Sequence, residues 1–260
     1  MLTKTDAVVV RSMKYGDTSK IVTFYTRQFG KLKGIAKGAR RRGNKFGASL
    51  EPMSYVTLVL YKKEHRDLHL ISQCDQIRSF GTLQDSIEKM SAGLSVLELV
   101  DGLSHEEEEN HALFSLIVET LSVLDSSSRN YQSLARSFQL KLASLLGYAP
   151  SLNVCVQCGK PLGEDNSRTG VGFQLTDGAV QCSDCTKLTG SRRPLGYRHV
   201  SAPAYRIMQR FLSSKTENVA TIACNESVGN EIDETLRLYF RYHFEHMRDL
   251  KSVQIFKSIV

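Results

Sequence analysis

The chain lacks tryptophan altogether, and no acidic residue interrupts the stretch between Asp17 and Glu51. Without tryptophan, any stacking on an aromatic ring falls to tyrosine and phenylalanine. The acid-free stretch carries nine cations, namely Lys20, Arg27, Lys31, Lys33, Lys37, Arg40, Arg41, Arg42 and Lys45, so an anionic partner is expected there. No apolar run approaches the roughly 18 residues of a membrane span. The opening Met1-Leu-Thr-Lys-Thr-Asp has no apolar run before a small-residue cleavage site, so a cytoplasmic protein is expected. In that compartment the six cysteines are not expected to pair as structural disulfides.

Catalytic signatures are also missing. The chain holds no GxxxxGK[ST], GxSxG, HExxH or dinucleotide GxGxxG motif. His243-x-x-His246 has no third placed ligand, and the bunched Glu106–Glu109 does not suggest a two-metal nuclease site. A protein that binds and does not transform is the simplest expectation.

Charge is segregated along the chain. Residues 1–80 carry sixteen Lys and Arg against six Asp and Glu, residues 81–154 carry four against ten, and residues 155–260 carry fourteen against eleven. A polyanion-binding module attached to a separate body would show this pattern. Within the basic third, Gly30, Gly34, Gly38, Gly43 and Gly47 alternate with β-branched and aromatic residues, which reads as strands and a loop. Such a loop follows a phosphate backbone by displacing counterions, whereas a solvated basic face is the alternative.

Five apolar or β-branched runs, Ala7–Val10, Ile21–Tyr25, Leu32–Ala36, Tyr55–Tyr61 and Leu68–Ser72, are bounded by turn-forming or charged residues. They predict a small five-stranded β-barrel of the oligonucleotide-binding type over residues 1–80. Its nucleic-acid face would involve the loops Ser12–Thr18 and Lys62–Asp67 and the basic connection Ala39–Met53. The candidate contacts are Arg11, Lys14, Tyr15, Lys20, Lys31, Lys33, Lys37, Arg40, Arg41, Arg42 and Lys45. Tyr15 and Phe46 either stack on bases or plug the packing.

After residue 80 the apolar period changes to three and four. Leu83–Leu103, Leu113–Leu124 and Leu134–Leu146 read as three helices, the last ended by Gly147 and Pro150. Ser201-Ala-Pro203 opens a further helix, and Ile232–Met247 a last one. The expected organisation is α+β, with a helical bundle in two parts, 81–150 and 191–260, around an insertion at 151–190.

That insertion carries the sharpest motif. Cys155-x-x-Cys158 and Cys182-x-x-Cys185 stand 23 residues apart, and Asp177-Gly178 between two short β-prone runs folds the chain back as a hairpin. Two knuckles supply four thiolates to one tetrahedral ion, so a structural zinc ribbon is expected. A thioredoxin-like redox pair would account for one CxxC only. Cys74 and Cys224 are read as small buried hydrophobes.

The stretch from Ala7-Val-Val-Val-Arg-Ser through Tyr15-Gly-Asp-Thr-Ser-Lys and Ala36-Lys-Gly-Ala-Arg-Arg to Phe46-Gly-Ala-Ser-Leu-Glu-Pro closely resembles the bacterial recombination mediator family RecO. Phe138-x-Leu-x-Leu-x-x-x-Leu-Gly-Tyr148 and Leu250-Lys-Ser252 extend the resemblance over nearly the whole chain. The resemblance implies a nucleoid-associated protein that binds single- and double-stranded DNA and anneals complementary strands. With RecR, it would help load RecA onto strands coated by single-stranded-DNA-binding protein. Some members lack the four cysteines, so the metal is not expected to be essential to activity. The resemblance also implies an apolar pocket, edged by cations, for the acidic, phenylalanine-ended tail of the single-stranded-DNA-binding protein. Arg129 and Arg136, seven residues apart, are the candidates for that edge, or else ordinary surface arginines. An RNA-binding or translation-associated protein is the alternative; a nuclease is disfavoured.

Overall fold

The computed structural model describes residues 1–63, 66–162, 169–189, 196–244 and 250–252. Glu64 and His65 of the expected Lys62–Asp67 loop, and His246 and Met247, lie outside the described residues. The chain is α+β and divides into two compact units, Met1–Ser126 joined by the chain end from Leu250, and Ser127–Asp249.

The first unit begins with strands β1 (Leu2–Tyr15), β2 (Ser19–Thr26), β3 (Gly30–Ala36), β4 (Tyr55–Tyr61) and β5 (His69–Arg78). Each takes the place of one expected run, and β1 is much longer than its apolar centre. Residues Leu2–Val8 of β1 pair with β4, and Ala7–Tyr15 pair with β2, with a bulge between Val9 and Arg11 that turns the strand from one partner to the other. The order β1-β2-β3-β5-β4, with β4 returning to β1, closes a five-stranded barrel. Alternation decides what faces inward: Val56, Leu58 and Leu60 of β4 are buried with Val22, Phe24, Leu32, Ala36 and Ile71. Phe46 and Leu50 from the β3–β4 connection complete this core. The Asn44 carboxamide oxygen accepts from the Phe46 and Gly47 amides, a local turn that aims Phe46 inward.

The seam between β3 and β5 is short and parallel, joining Gly34–Ile35 to His69–Leu70. Upstream of it, the segment between helices α1 (Ile87–Leu103) and α2 (His111–Ser126) lies on β3. The Glu107 amide donates to the Lys31 carbonyl at 3.0 Å, and Lys31 and Glu106 form a parallel bridge. Gly30, at φ 60°, permits the approach, since a Cβ there would overlap the Glu108 carbonyl. Helix α1 starts at the Ser86 cap, which accepts from the Lys89 amide. It buries Ser91, Ala92, Ser95, Val96, Leu99 and Val100 and packs on β1 and α2. The first compact unit therefore continues to Ser126, past the expected division near residue 80. An α1 apolar over so much of its circumference needs partners on more than one side.

The second unit holds α3 (Tyr131–Leu145), β6 (Ser151–Cys155), β7 (Val171–Gln174), β8 (Ala179–Gln181), α4 (Ser183–Thr189), β9 (Tyr197–Val200), α5 (Ala202–Ser213), α6 (Thr216–Val219) and α7 (Glu226–His243). Helices α3, α5 and α7 pack together through Leu134, Phe138, Tyr205, Phe211, Ile232 and Phe240. Ser201 caps α5 and Gly147 follows the end of α3 at φ 88°. The sheet order is β6-β8-β7-β9, with β7 and β8 forming the hairpin about Asp177-Gly178.

We expect Gly30→Ala to destabilise the protein by about 1–3 kcal/mol, because it combines a left-handed backbone with an overlap on main chain. Urea denaturation measures this; an unchanged midpoint would mean that the α1–α2 segment is not anchored on β3.

Candidate nucleic-acid interface and metal centre

The eleven candidate contact residues lie in very different surroundings. Lys31 is buried, with its ammonium donating to the Asp101 carbonyl at 2.7 Å, and burial holds its pKa below the ordinary lysine value. Lys33 pairs with Glu106, Lys20 with Glu51 at 2.7 Å, and Arg11 lies 3.9 Å from Asp101. Lys45 donates to the Ser72 carbonyl and lies over the Phe46 ring at 5.2 Å. Arg40 donates to the Gly16 and Asp17 carbonyls, and its own amide to Thr18, which ties the basic connection to the β1–β2 turn. Lys14, Lys37, Arg41 and Arg42 are exposed and have no side-chain partner among the described residues.

The acidic segment Glu106–Glu109 is built onto the barrel. Glu107 accepts from Lys62 at 2.7 Å and meets the buried His69 ring at 3.2 Å. The Lys62 hydrogen bond in particular draws its carboxyl below the usual glutamate range. The sequence carried no direct signal for these neutralising partners, because Lys31 and Glu106 meet across 74 intervening positions. Of the two candidate stacking rings, Tyr15 is exposed whereas Phe46 is core. Phe46 is therefore a plug, as hydrophobic burial dictates once the Asn44 turn points it inward.

In the second unit the two knuckles converge. The sulfurs of Cys155, Cys158, Cys182 and Cys185 all lie within 4.8 Å of one another. The Cys182 amide donates to the Cys155 sulfur at 3.3 Å, and the Cys185 amide to the Cys182 sulfur at 3.5 Å. Burial pushes the Cys155 thiol up, yet the amides of Cys182, Cys158 and Gln157 outweigh it and bring it down to about 6. Hydrogen bonding from Cys182, with burial, pushes Cys185 up to about 12. Four sulfurs in this proximity with amide donors fit a metal ion, and all six cysteines are free thiols. Cys74 is buried in the barrel, its thiol pushed up to about 11 by burial, while Cys224 is only half-buried.

The two partner-binding candidates do not share a helix face. Arg129 is exposed but precedes α3, which begins at Tyr131. Arg136 is buried and forks onto Asp233 of α7, with Nε at 2.7 Å and the second nitrogen at 2.8 Å from the two carboxylate oxygens. Burial pulls its pKa down, but the Asp233 hydrogen bonds and charge outweigh that and keep it above the ordinary value. Gly229 makes room, since a Cβ there would press on the guanidinium. The apolar face of α3 carries Arg136 inward, where only a carboxylate makes it tolerable.

Family models described as "Recombination protein O N terminal" and "Recombination protein O C terminal" match residues 1–80 and 84–253. Among relatives named "DNA repair protein RecO", that of Chloroherpeton thalassium is 34% identical over the full length of both chains. That of Salinibacter ruber is 33% identical over 99% of this chain and 94% of its own. The Symbiobacterium thermophilum relative is 32% identical over 98% and 96%.

Replacing Arg136 by Glu leaves two carboxylates facing each other in a buried site, with an expected loss of about 3 kcal/mol or more in stability. Chemical denaturation of the variant measures this, and a wild-type midpoint would contradict the packing role.

Proposed function

Because the chain belongs to the RecO family and so has a recombination mediator role in DNA repair, we propose that its barrel is an oligonucleotide-binding module that grips DNA by the phosphate backbone. The observation that carries this reading is the cyclic strand order β1-β2-β3-β5-β4, the order expected of that barrel type, with an exposed basic loop fastened to its β1–β2 turn through Arg40. Four unpaired cations, Lys14, Lys37, Arg41 and Arg42, supply counterion release without base-edge reading. Lys31 and Lys33 already have protein partners and serve the fold.

Sequence-blind backbone binding suits a mediator that acts by association. By screening two phosphate chains, the basic surface lets complementary strands approach while their base edges stay free to pair. Annealing, cooperation with RecR, capture of the single-stranded-DNA-binding protein tail and RecA loading belong to this reading. The segregated charge favours it: a basic first third and an acidic 81–154 keep DNA on one part of the chain. No helix among the described residues is long and apolar enough to cross a membrane.

The four thiolates would hold one structural zinc. Bound there, the ion has no open position for a reaction and supplies cross-linking between the two knuckles. Cys155, Cys158, Cys182 and Cys185 would be its ligands, and the Cys155 and Cys182 sulfurs each accept from a backbone amide.

Two measurements test these assignments. Arg41→Ala with Arg42→Ala should weaken binding to all sequences alike and reduce the salt slope on single strands by up to about 1.4 units, whereas Lys31→Gln should leave the slope unchanged. A double variant with wild-type slope and affinity would place the phosphate contacts elsewhere. Elemental analysis should find one zinc per chain, and Cys155→Ser should lower both zinc content and thermal stability. A metal-free protein of full stability would refute the zinc assignment.

A further inference from the structure

The basic connection between β3 and β4 is a chain of closed turns rather than a slack loop. The Arg41 amide donates to the Gly38 carbonyl at 3.0 Å, and the Asn44 amide and carboxamide both donate to the Arg41 carbonyl at 3.2 Å. Further along, the Ser49 amide donates to the Phe46 carbonyl and the Glu51 amide to the Ala48 carbonyl, each at 3.1 Å. Ala39, Phe46 and Leu50 are buried in the barrel core, and the Lys45 ammonium donates to the Ser72 carbonyl at 2.5 Å. A segment held at this many points has little freedom left to lose when it binds, so the cations it carries are in place beforehand.

Arg40 differs from its cationic neighbours in what it does with its donors. Its amide donates to the Thr18 carbonyl at 2.9 Å, and Nη1 donates to the Gly16 and Asp17 carbonyls at 3.0 and 3.1 Å. One residue thus takes all three carbonyls of the β1–β2 turn. The hairpin that ends in this turn carries a cation of its own: Lys14 stands opposite Lys20, and Lys20 opposite Ala36. Partners in register lie on the same face of a sheet. That face is the inner one, because Ala36 belongs to the core and the Lys20 ammonium meets Glu51 at the far end of the basic connection at 2.7 Å. Lys14 therefore stands on the hairpin face that the connection covers, exposed and without a side-chain partner among the described residues, as are Arg41 and Arg42.

We propose that Arg40 is a positioning residue and not a phosphate contact, and that it joins hairpin and connection into one composite site in which Lys14, Arg41 and Arg42 hold phosphates of the same strand. This rests on the DNA-binding reading above and deepens it. With the two segments fastened together, a phosphate chain held by Arg41 and Arg42 meets Lys14 at high effective concentration. With the fastening lost, each cation can still take its phosphate, but the hairpin and the connection move independently and the gain from joining them is smaller. Arg40 therefore governs affinity, whereas the number of counterions released is set by Lys14, Arg41, Arg42 and the other free cations. Its role also needs the guanidinium itself, since a lysine has the charge without the reach and the planar donor set that serve two carbonyls at once.

The test is a salt titration of the full chain with a thymidine oligomer. Arg40→Lys keeps the charge, and because Arg40 is exposed the substitution leaves the core intact. It should lower affinity about fivefold at fixed salt while the salt slope stays within about 0.3 of wild type. A second readout is the coupling between Lys14→Ala and Arg42→Ala. In the wild-type background their combined loss should fall short of the product of the separate losses by about threefold or more, and in the Arg40→Lys background it should approach that product. Wild-type or higher affinity in Arg40→Lys would show that only the charge matters and overturn the positioning role. So would a slope lowered by about 0.7 or more, the share of one phosphate contact on a single strand. Equal coupling in the two backgrounds would overturn the composite site. Failure of wild type to bind the oligomer in a salt-dependent way would instead overturn the DNA-binding reading itself, and the composite site with it.

Discussion

The attachment of the α1–α2 segment to β3 governs much of the first unit. The parallel seam of β3 with β5 covers only two residues on each strand, which leaves the upstream half of β3 without a ladder partner on that side. The Glu107 amide to Lys31 carbonyl bond and the Lys31–Glu106 bridge fill that position. A buried main-chain group left unpaired is unfavourable, so the segment does for the barrel what a further strand would do. Gly30 is the condition for it, since only a residue without a Cβ lets the Glu108 carbonyl come so close.

The same attachment sets the electrostatics of the barrel surface. Once the main chain of residues 106–108 is fixed, the carboxylates of Glu106 and Glu107 stand beside Lys33, Lys62 and His69. The cations of the first eighty residues thus separate into a group consumed by the fold and a group left free. Exposed ion pairs contribute little to stability, in the range of about 0–1 kcal/mol. Their larger effect is on the field: they cancel positive potential around Lys33 and Lys62 and leave it at Arg41 and Arg42. Arg40 shows a third use of charge, binding main-chain carbonyls of the β1–β2 turn so that its neighbours Arg41 and Arg42 are presented from an anchored loop.

The second unit uses different physics to the same end. Its small sheet β6-β8-β7-β9 has short strands, and the two cysteine knuckles converge at its edge. A four-thiolate cross-link suits a module of such short strands. Elsewhere in the unit Arg136 and Asp233 join α3 to α7 by a forked ion pair in a site made by Gly229. Such a pair fixes which helix faces meet, because either charge without the other would be strongly unfavourable.

The amino-acid sequence by itself determined the local features: the five strands, whose apolar runs were legible in Ile21–Tyr25 and Tyr55–Tyr61; the Asp177-Gly178 hairpin; the Ser201 cap; and the cysteine knuckles. Each rests on interactions between residues close along the chain, where spacing and turn chemistry suffice. Family membership was legible for the same reason, in the Ala36-Lys-Gly-Ala-Arg-Arg and Phe46-Gly-Ala segments. Tertiary structure alone decided which cations remain free, because the partners of Lys31 and Lys33, the Asp101 carbonyl and the Glu106 carboxylate, come from beyond residue 100. It also decided that Phe46 is core, that Arg136 is paired inside, and that the first unit runs to Ser126. Charge and hydrophobicity can be counted along a chain, but their consequences depend on what lies opposite each side chain, and long-range pairing sets that.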